Sequence, residues 1–205
     1  KRCIDSQAGN SWAGAQRVLI NRLVDCAVLE ASPSSMATEG LGYDRCLVGI
    51  VTGIDTAQSI PESDIAGAEQ LYKLMRTQID VVLATGAAVL NAVDPLALEM
   101  ADLCDGEVIL YAGAPGNDAI AAHVASGGRA VFVRDGAVVL AGEHGERPLA
   151  ERLPGSFADA AGTQSHPGML PAIAAAWALG LAPGLIAAGL ATYGMNQTTP
   201  AAEAC

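Results

Sequence analysis

The chain holds only two lysines, Lys1 and Lys73, and neither follows a glycine, so the Gly-Lys-Ser/Thr end of a phosphate loop is absent. Such a loop needs glycines so that backbone N–H groups can surround the phosphates, and a lysine ammonium to reach the β and γ oxygens. His123, His144 and His166 are widely separated and show no metal-ligand spacing. Cys3, Cys26, Cys46, Cys104 and Cys205 contain no Cys-x-x-Cys pair. With Cys26 and Cys46 inside apolar runs, they read as buried free thiols in a reducing compartment, and a cytoplasmic protein is the expectation. Asp94-Pro95 has the form of an ordinary helix start, an N-cap followed by a first-turn proline. Gly113-Ala114-Pro115-Gly116-Asn117 ahead of a helix offers amides to an anion, although a glycine-bearing turn between strand and helix is structurally routine.

Positioning these residues falls to a single domain: 205 residues with 51% hydrophobic content suffice for one full-size core, burying roughly 70% of the surface exposed when unfolded. A low aromatic share of 4%, many alanines and 23 glycines point to small aliphatic packing between helices and a sheet, which suits a layered α/β fold. The formal charge of −11 repels the phosphate backbone that a nucleic-acid binder must neutralise, so nucleic acid is excluded as a partner. No apolar signal segment opens the sequence. Residues 167–200 carry no charge, but Gly180, Pro183 and Gly184 interrupt the run. It reads as a buried helical pair and not as a membrane span, which takes roughly 20 continuous apolar residues.

Short apolar runs recurring between helical patterns predict a mainly parallel sheet flanked by helices. The expected strands are Val24 to Leu29, Cys46 to Thr52, Val81 to Ala84, Ala88 to Leu90, Glu107 to Tyr111 and Ala130 to Val133. Asp135-Gly136 between two apolar runs predicts a tight hairpin and hence an antiparallel edge. Helices are expected from Ser11 to Arg22 with Ser11 as cap, from Ser63 to Thr77, from Pro95 onward, and from Asn117 to Ser126 with a stop at Gly127-Gly128. Two more follow, about Met169 to Leu179 and Gly184 to Tyr193. The expected organisation is an α/β core over residues 1–141, an irregular linker over 142–166, a helical pair over 167–195 and a tail over 196–205.

Four blocks in order carry a resemblance: Glu39-Gly40-Leu41-Gly42-Tyr43-Asp44-Arg45-Cys46, Val51-Thr52, Leu90-Asn91-Ala92-Val93-Asp94-Pro95, and the alanine-rich stretch from Ala172 to Leu181. From about Gly9 to Tyr193 the chain resembles the Mur-ligase-like half of cyanophycin synthetases, and so implies a fold like the Mur ligase central domain. That family builds a branched aspartate–arginine polymer with ATP and magnesium. One ATP-dependent domain adds aspartate, and the Mur-like domain adds arginine through an acyl phosphate. The resemblance implies that Glu30 matches the family's magnesium-binding glutamate and that Thr52 and Asp94 are the other vestiges of a nucleotide site.

Departures from the family pattern are several. The family's phosphate loop lies upstream of the segment matched by Gly9 to Glu30. Its Ala-Arg-Gly-Gly is replaced by Ala31-Ser32-Pro33-Ser34, and the Asn and Asp-His that follow its threonine by Gly53-Ile54-Asp55-Thr56-Ala57-Gln58-Ser59-Ile60. Gly168 stands where an asparagine contacts the nucleotide, His166 aligns with an apolar position, and the family's lid domain lies beyond Tyr193. The expectation is therefore a degenerate Mur-like domain, similar to those of short variants that polymerise ready-made β-aspartyl-arginine with only their other ATP domain. It binds neither ATP nor magnesium itself and serves as scaffold and subunit contact. Its partners would be an upstream ATP-dependent domain of the same polypeptide and further copies of itself, covering a strand edge left open by the missing first unit. Two other readings stand beside it: an active ligase whose phosphate loop precedes Lys1, and a free-standing module that binds a small ligand in the crevice at the sheet's carboxyl ends.

Overall fold

A computed structural model describes residues 11–113, 116–150 and 168–193. Its centre is a six-stranded sheet in the order β1-β4-β5-β6-β7-β8. The strands are β1 Cys46–Val51, β4 Val82–Asn91, β5 Glu107–Ala112, β6 Arg129–Arg134, β7 Ala137–Gly142 and β8 Gly145–Ala150. The first four are mutually parallel, and β6, β7 and β8 run antiparallel. The expected mainly parallel α/β sheet with an antiparallel edge is what the chain forms.

Alternation along the strands sends side chains to two dry faces. Val51, Ala88, Leu90, Leu110 and Phe132 meet Met75, Ile79, Met100 and Ile120 on one side. Those residues come from α3 Ala68–Met75, the short α4 Thr77–Asp80, the 3-10 turn after α5 Pro95–Glu99, and α6 Asp118–Ala125. Ala87, Val89, Ile109, Tyr111 and Val131 face the other way, onto Met169, Leu170 and Ile173 of α7 Met169–Ala178 and Ile186 of α8 Pro183–Thr192. Burial on both faces is why the parallel strands read as continuous apolar runs.

Local chemistry forms the ends of the elements as expected. Ser11 Oγ accepts from the Gly14 N–H at 3.2 Å ahead of α1 Trp12–Leu19, and Asn117 Oδ1 accepts from the Ile120 N–H at 3.0 Å ahead of α6. Asp135 and Gly136 both take positive φ, 53° and 78°, as a two-residue hairpin twisted to match its strands requires. Arg129 ion-pairs with Glu107, stacks over Trp177 at 4.6 Å and donates to the Trp177 carbonyl, tying the end of α7 to β5 and β6.

Several expectations are corrected. Val24 to Leu29 forms no strand. Val28 is 92% exposed and Cys26 is an exposed thiol, not a buried one. An extended segment joins a sheet only through a neighbour's backbone groups, and among the described residues β1 offers its hydrogen bonds to β4 alone. The two short strands expected at Val81 to Leu90 are one, β4. In it the chain takes five steps from Val82 to Ala87 while β1 takes two from Cys46 to Val48, which leaves a bulge. The helix expected from Ser63 starts at Ala68, because Asp64 and Gly67 have left-handed φ of 52° and 89° and Ile65–Ala66 (β3) pairs with Ser59–Ile60 (β2). The stretch expected to be irregular from 142 begins with a hairpin: Gly142 pairs with Gly145, whose φ is 85°, and β8 follows. Pro148 is tolerated because β8 is an edge strand with one side free of ladder bonds. Residues 151–167 and the tail 196–205 lie outside the described residues. In the helical pair α7 is buried, but α8 buries Ile186 alone and leaves Leu185 61% exposed. Among the described residues no helix is long and apolar enough to cross a membrane.

Candidate functional site

Parallel strands deliver their carboxyl ends to one rim, where β1 runs into Thr52 and β4 into Asn91. Two cavities open beside these two ends. One, of about 470 Å³, is lined by Glu30, Ser32, Thr52, Asp55, Gln58 and Gln78 among others. Its neighbour, of about 510 Å³ and more open, is lined by Asn91, Asp94, Pro95 and Leu96. Ile54 lines both. The three candidate residues therefore share one rim, but Glu30 and Thr52 face one cavity and Asp94 the other.

Asp94 is the helix cap that its Asp-Pro sequence suggests. Oδ1 accepts from the N–H groups of Leu96 at 2.9 Å and Ala97 at 3.2 Å, and Oδ2 accepts from the Ile54 N–H at 2.6 Å. Both oxygens thus hold backbone, one in α5 and one in the loop after β1. A Cβ on Gly53 would stand 3.1 Å from that Oδ2, so glycine lets the loop approach. Asp94→Ala removes the cap and strands the Ile54 N–H; the expected loss is about 2 kcal/mol of unfolding free energy, read by urea denaturation. Asp94→Asn keeps one acceptor, and about half of that loss is expected to remain.

Thr52 contributes its backbone more than its side chain. Its carbonyl accepts from Asn91 Nδ2 at 2.9 Å and from the Tyr111 hydroxyl at 3.4 Å, which fixes the end of β1 against β4 and β5. Burial, and secondly the charge of Asp94, push the Tyr111 hydroxyl up from 10.0 to about 12. The folded state thus holds this proton more tightly than the unfolded chain. Its contribution is complete below the unfolded value and is lost as pH rises from about 10 through about 12. Stability of Tyr111→Phe is expected to fall less steeply over that window, as thermal melts against pH will show.

Glu30 is exposed at the mouth of the first cavity and forms no ion pair among the described residues. A magnesium–triphosphate does not fit the residues present. No Lys, Arg or His lines either cavity, both Asp94 oxygens already accept backbone N–H groups, and Lys73 pairs with Glu69 at 2.7 Å on α3. Among the described residues no three His, Cys, Asp or Glu side chains converge. Gly168 precedes α7 without a side-chain cap, and His166 lies outside the described residues. Of the glycine turn ahead of α6, Ala114 and Pro115 lie outside them too, and Asn117 spends its Nδ2 on the Ala92 carbonyl.

Sequence reasoning missed α2 Pro33–Glu39, which carries one wall of the first cavity. Its signal is Ser32-Pro33-Ser34-Ser35, a serine cap with proline in the first turn, and Ser32 Oγ indeed accepts from the Ser35 N–H. Gln78 gave no signal: nothing local shows that a glutamine in a short helix will be buried.

These features define a parallel α/β domain with a ligand-sized crevice at the carboxyl ends of its strands, the usual place for one in such sheets. No protein-family model matches the chain. Curated relatives do. It is 35% identical over 126 residues to the cyanophycin synthetase of Crocosphaera subtropica, covering 62% of this chain and 14% of that protein. To the Synechocystis enzyme it is 32% identical over 138 residues, 67% of this chain and 16% of the relative. To that of Trichormus variabilis it is 28% identical over 153 residues, 74% and 17%. The chain is a homologue of one segment of the cyanophycin synthetases, and it spans about a sixth of the length of the relatives it matches. Among solved structures it is similar to MurF from Acinetobacter baumannii, with a TM-score of 0.49 and 18% identity over 78% of this chain and 31% of that one. A second Acinetobacter baumannii structure, of the UDP-N-acetylmuramoylalanyl-D-glutamyl-2,6-diaminopimelate–D-alanyl-D-alanyl ligase, gives 0.48 and 17%, with the same coverage.

Proposed function

We propose that the chain is the Mur-like domain of a cyanophycin synthetase relative in which this domain has lost phosphoryl chemistry and serves as scaffold and subunit contact. The observation that carries the reading is the pair of cavities beside Thr52 and Asp94, whose linings include Glu30, Asp55 and Asp94 and no cationic side chain. Transferring a phosphoryl group rests on electrostatic clamping by lysine, metal and amides. Removing one such contact costs about 3 kcal/mol of transition-state stabilisation, so the replaced metal-ligand and nucleotide-contact positions at Gly53–Ile60 and Gly168 together leave little rate on this reading. On this reading the protein resembles short variants that polymerise β-aspartyl-arginine with another, upstream ATP-dependent domain, in the cytoplasm. The contact surface is supported by β1, which pairs with no other strand among the described residues than β4 and presents Leu47 half-exposed. Such an edge is covered by an upstream segment or a second subunit. Calorimetry with ATP and magnesium is the test: no saturable heat is expected, and micromolar, magnesium-dependent binding would overturn the reading.

A second reading keeps the domain as an active amide ligase that adds arginine to aspartate side chains, with its phosphate loop ahead of Lys1. Glu30 at the mouth of the crevice favours it. A Gly-x-x-Gly-Lys-Thr sequence upstream of Lys1 in the gene would decide for this alternative.

A further inference from the structure

Residues Asp25 to Ala31 lie between α1 and α2 in no helix or strand, and none of them makes a hydrogen bond among the described residues. Their backbone N–H and C=O groups are open to a partner. From Cys26 to Ala31 exposure alternates residue by residue: Ala27, Leu29 and Ala31 are half-buried, while Cys26, Val28 and Glu30 face solvent, Val28 at 92%. That is the period of a strand whose inner face is already seated, since Leu29 lines the 470 Å³ cavity and Ala31 packs on the core. β1 is not its partner: the backbone of Ile50 to Thr52 forms no bond to it, and both line that cavity. Arg22 and Glu30, towards the two ends, are exposed and form no ion pair among the described residues.

We propose that this segment is a contact between two copies of the chain, joined antiparallel about a two-fold axis at Cys26. Read in opposite directions, Arg22-Leu23-Val24-Asp25-Cys26-Ala27-Val28-Leu29-Glu30 is complementary to itself: Arg22 falls opposite Glu30, Leu23 opposite Leu29 and Val24 opposite Val28. Opposite charges and apolar pairs facing each other stabilise an antiparallel ladder. Such a match also lets a chain of net charge −11 approach its copy against their general repulsion. The N–H groups of Leu23 and Val24 are spent on Asn21, at its Oδ1 and its carbonyl. The register at Cys26 needs neither of them. In it Asp25 and Ala27 exchange the ladder bonds, and Cys26 meets its copy in a pair without hydrogen bonds, where Cα atoms stand about 4.5 Å apart. A disulfide spans Cα separations of about 4.4–6.8 Å. The ladder is short, so a weak dimer that depends on concentration is expected. The inference rests on the subunit contact proposed above, for which it names a surface, and does not depend on the loss of phosphoryl chemistry.

Sedimentation velocity over a concentration series is the test, with mild oxidation by diamide as an independent readout of proximity at Cys26. The parent chain is expected to self-associate, and oxidation to give a dimer joined by a Cys26–Cys26 disulfide, identified by peptide mass mapping and absent from Cys26→Ser. Arg22→Glu and Glu30→Arg, both on exposed side chains, are each expected to weaken association about fivefold or more, because two facing ion pairs become like-charge pairs. An equimolar mixture of the two variants is expected to associate as the parent does, since each then supplies the charge that the other needs. An effect on folding alone would not be rescued in this way. A dimer that ignores these reversals, or that yields no Cys26–Cys26 link, overturns this surface and places the subunit contact elsewhere. A chain that stays monomeric throughout the series overturns the subunit contact as well, so the two failures are distinguishable.

Discussion

Ile173→Ala is expected to lower the unfolding free energy by about 3 kcal/mol or more, within the about 2–5 kcal/mol that emptying an isoleucine site in a core usually costs. Ile173 is 1% exposed and lies among Val89, Ile109, Val131 and Leu140 of the sheet. The helix that carries it has few other anchors: α7 buries Met169, Leu170, Pro171, Ile173 and Ala174, and has no acidic or basic residue at either end. Its neighbours Val89, Ile109 and Val131 are held in the strand ladder, so they move little into the void, which places the cost in the upper part of the range. Urea denaturation should show a lower midpoint with an unchanged slope, since the surface exposed on unfolding is nearly the same. Ile173→Val, which removes one methyl, is expected to cost about 1 kcal/mol. A loss below 1 kcal/mol for the alanine variant would mean that α7 does not cover this face of the sheet.

Gly86→Ala should be as damaging by the opposite mechanism. A Cβ at Gly86 would stand 2.3 Å from the Leu47 carbonyl oxygen and 3.1 Å from that of Leu83. Both obstacles are backbone, held by the β1–β4 ladder around the bulge, so no side-chain rotation relieves them. A Cβ on Gly106 would in turn meet the Gly86 carbonyl oxygen at 2.4 Å. The bulge is thus packed against backbone on two sides. Overpacking of this kind costs about 1–3 kcal/mol and occasionally more; with backbone on both sides the upper end is expected, together with loss of the Cys46–Val82 pairing. Gly189→Ala is the contrasting case: in α8, with nothing within 4 Å of the added methyl, it should stabilise by about 0.5–1 kcal/mol. Thermal melts of the two variants should shift in opposite directions.

Much of the crevice was legible from residue order, but not the identity of its working groups. Asp94 was readable as a cap because its bonds to Leu96 and Ala97 are made two and three residues away. Its third bond, to Ile54 forty residues earlier, was not. That bond is what turns a helix cap into the post between the two cavities. Thr52 was singled out by resemblance, while the bonds its carbonyl accepts from Asn91 and Tyr111 depend on strands that meet only in the folded sheet.

By itself, residue order determined whatever neighbouring residues decide: the alternation of apolar runs and helical stripes, the caps at Ser11, Asp94 and Asn117, and the hairpin at Asp135-Gly136. It also fixed that neither of the two lysines present, Lys1 and Lys73, follows a glycine. Only the tertiary structure decided which extended runs become strands. Val24 to Leu29 has the composition of one and pairs with no strand among the described residues, whereas Gly145–Ala150, with a proline inside it, is paired because β7 lies alongside. The same holds for Gln78, made a buried and half-satisfied polar group by β1 and α3 closing around it. The physical reason is common to these cases. Capping and turn bonds close within a few residues, whereas strand pairing and burial are fixed by groups distant along the chain.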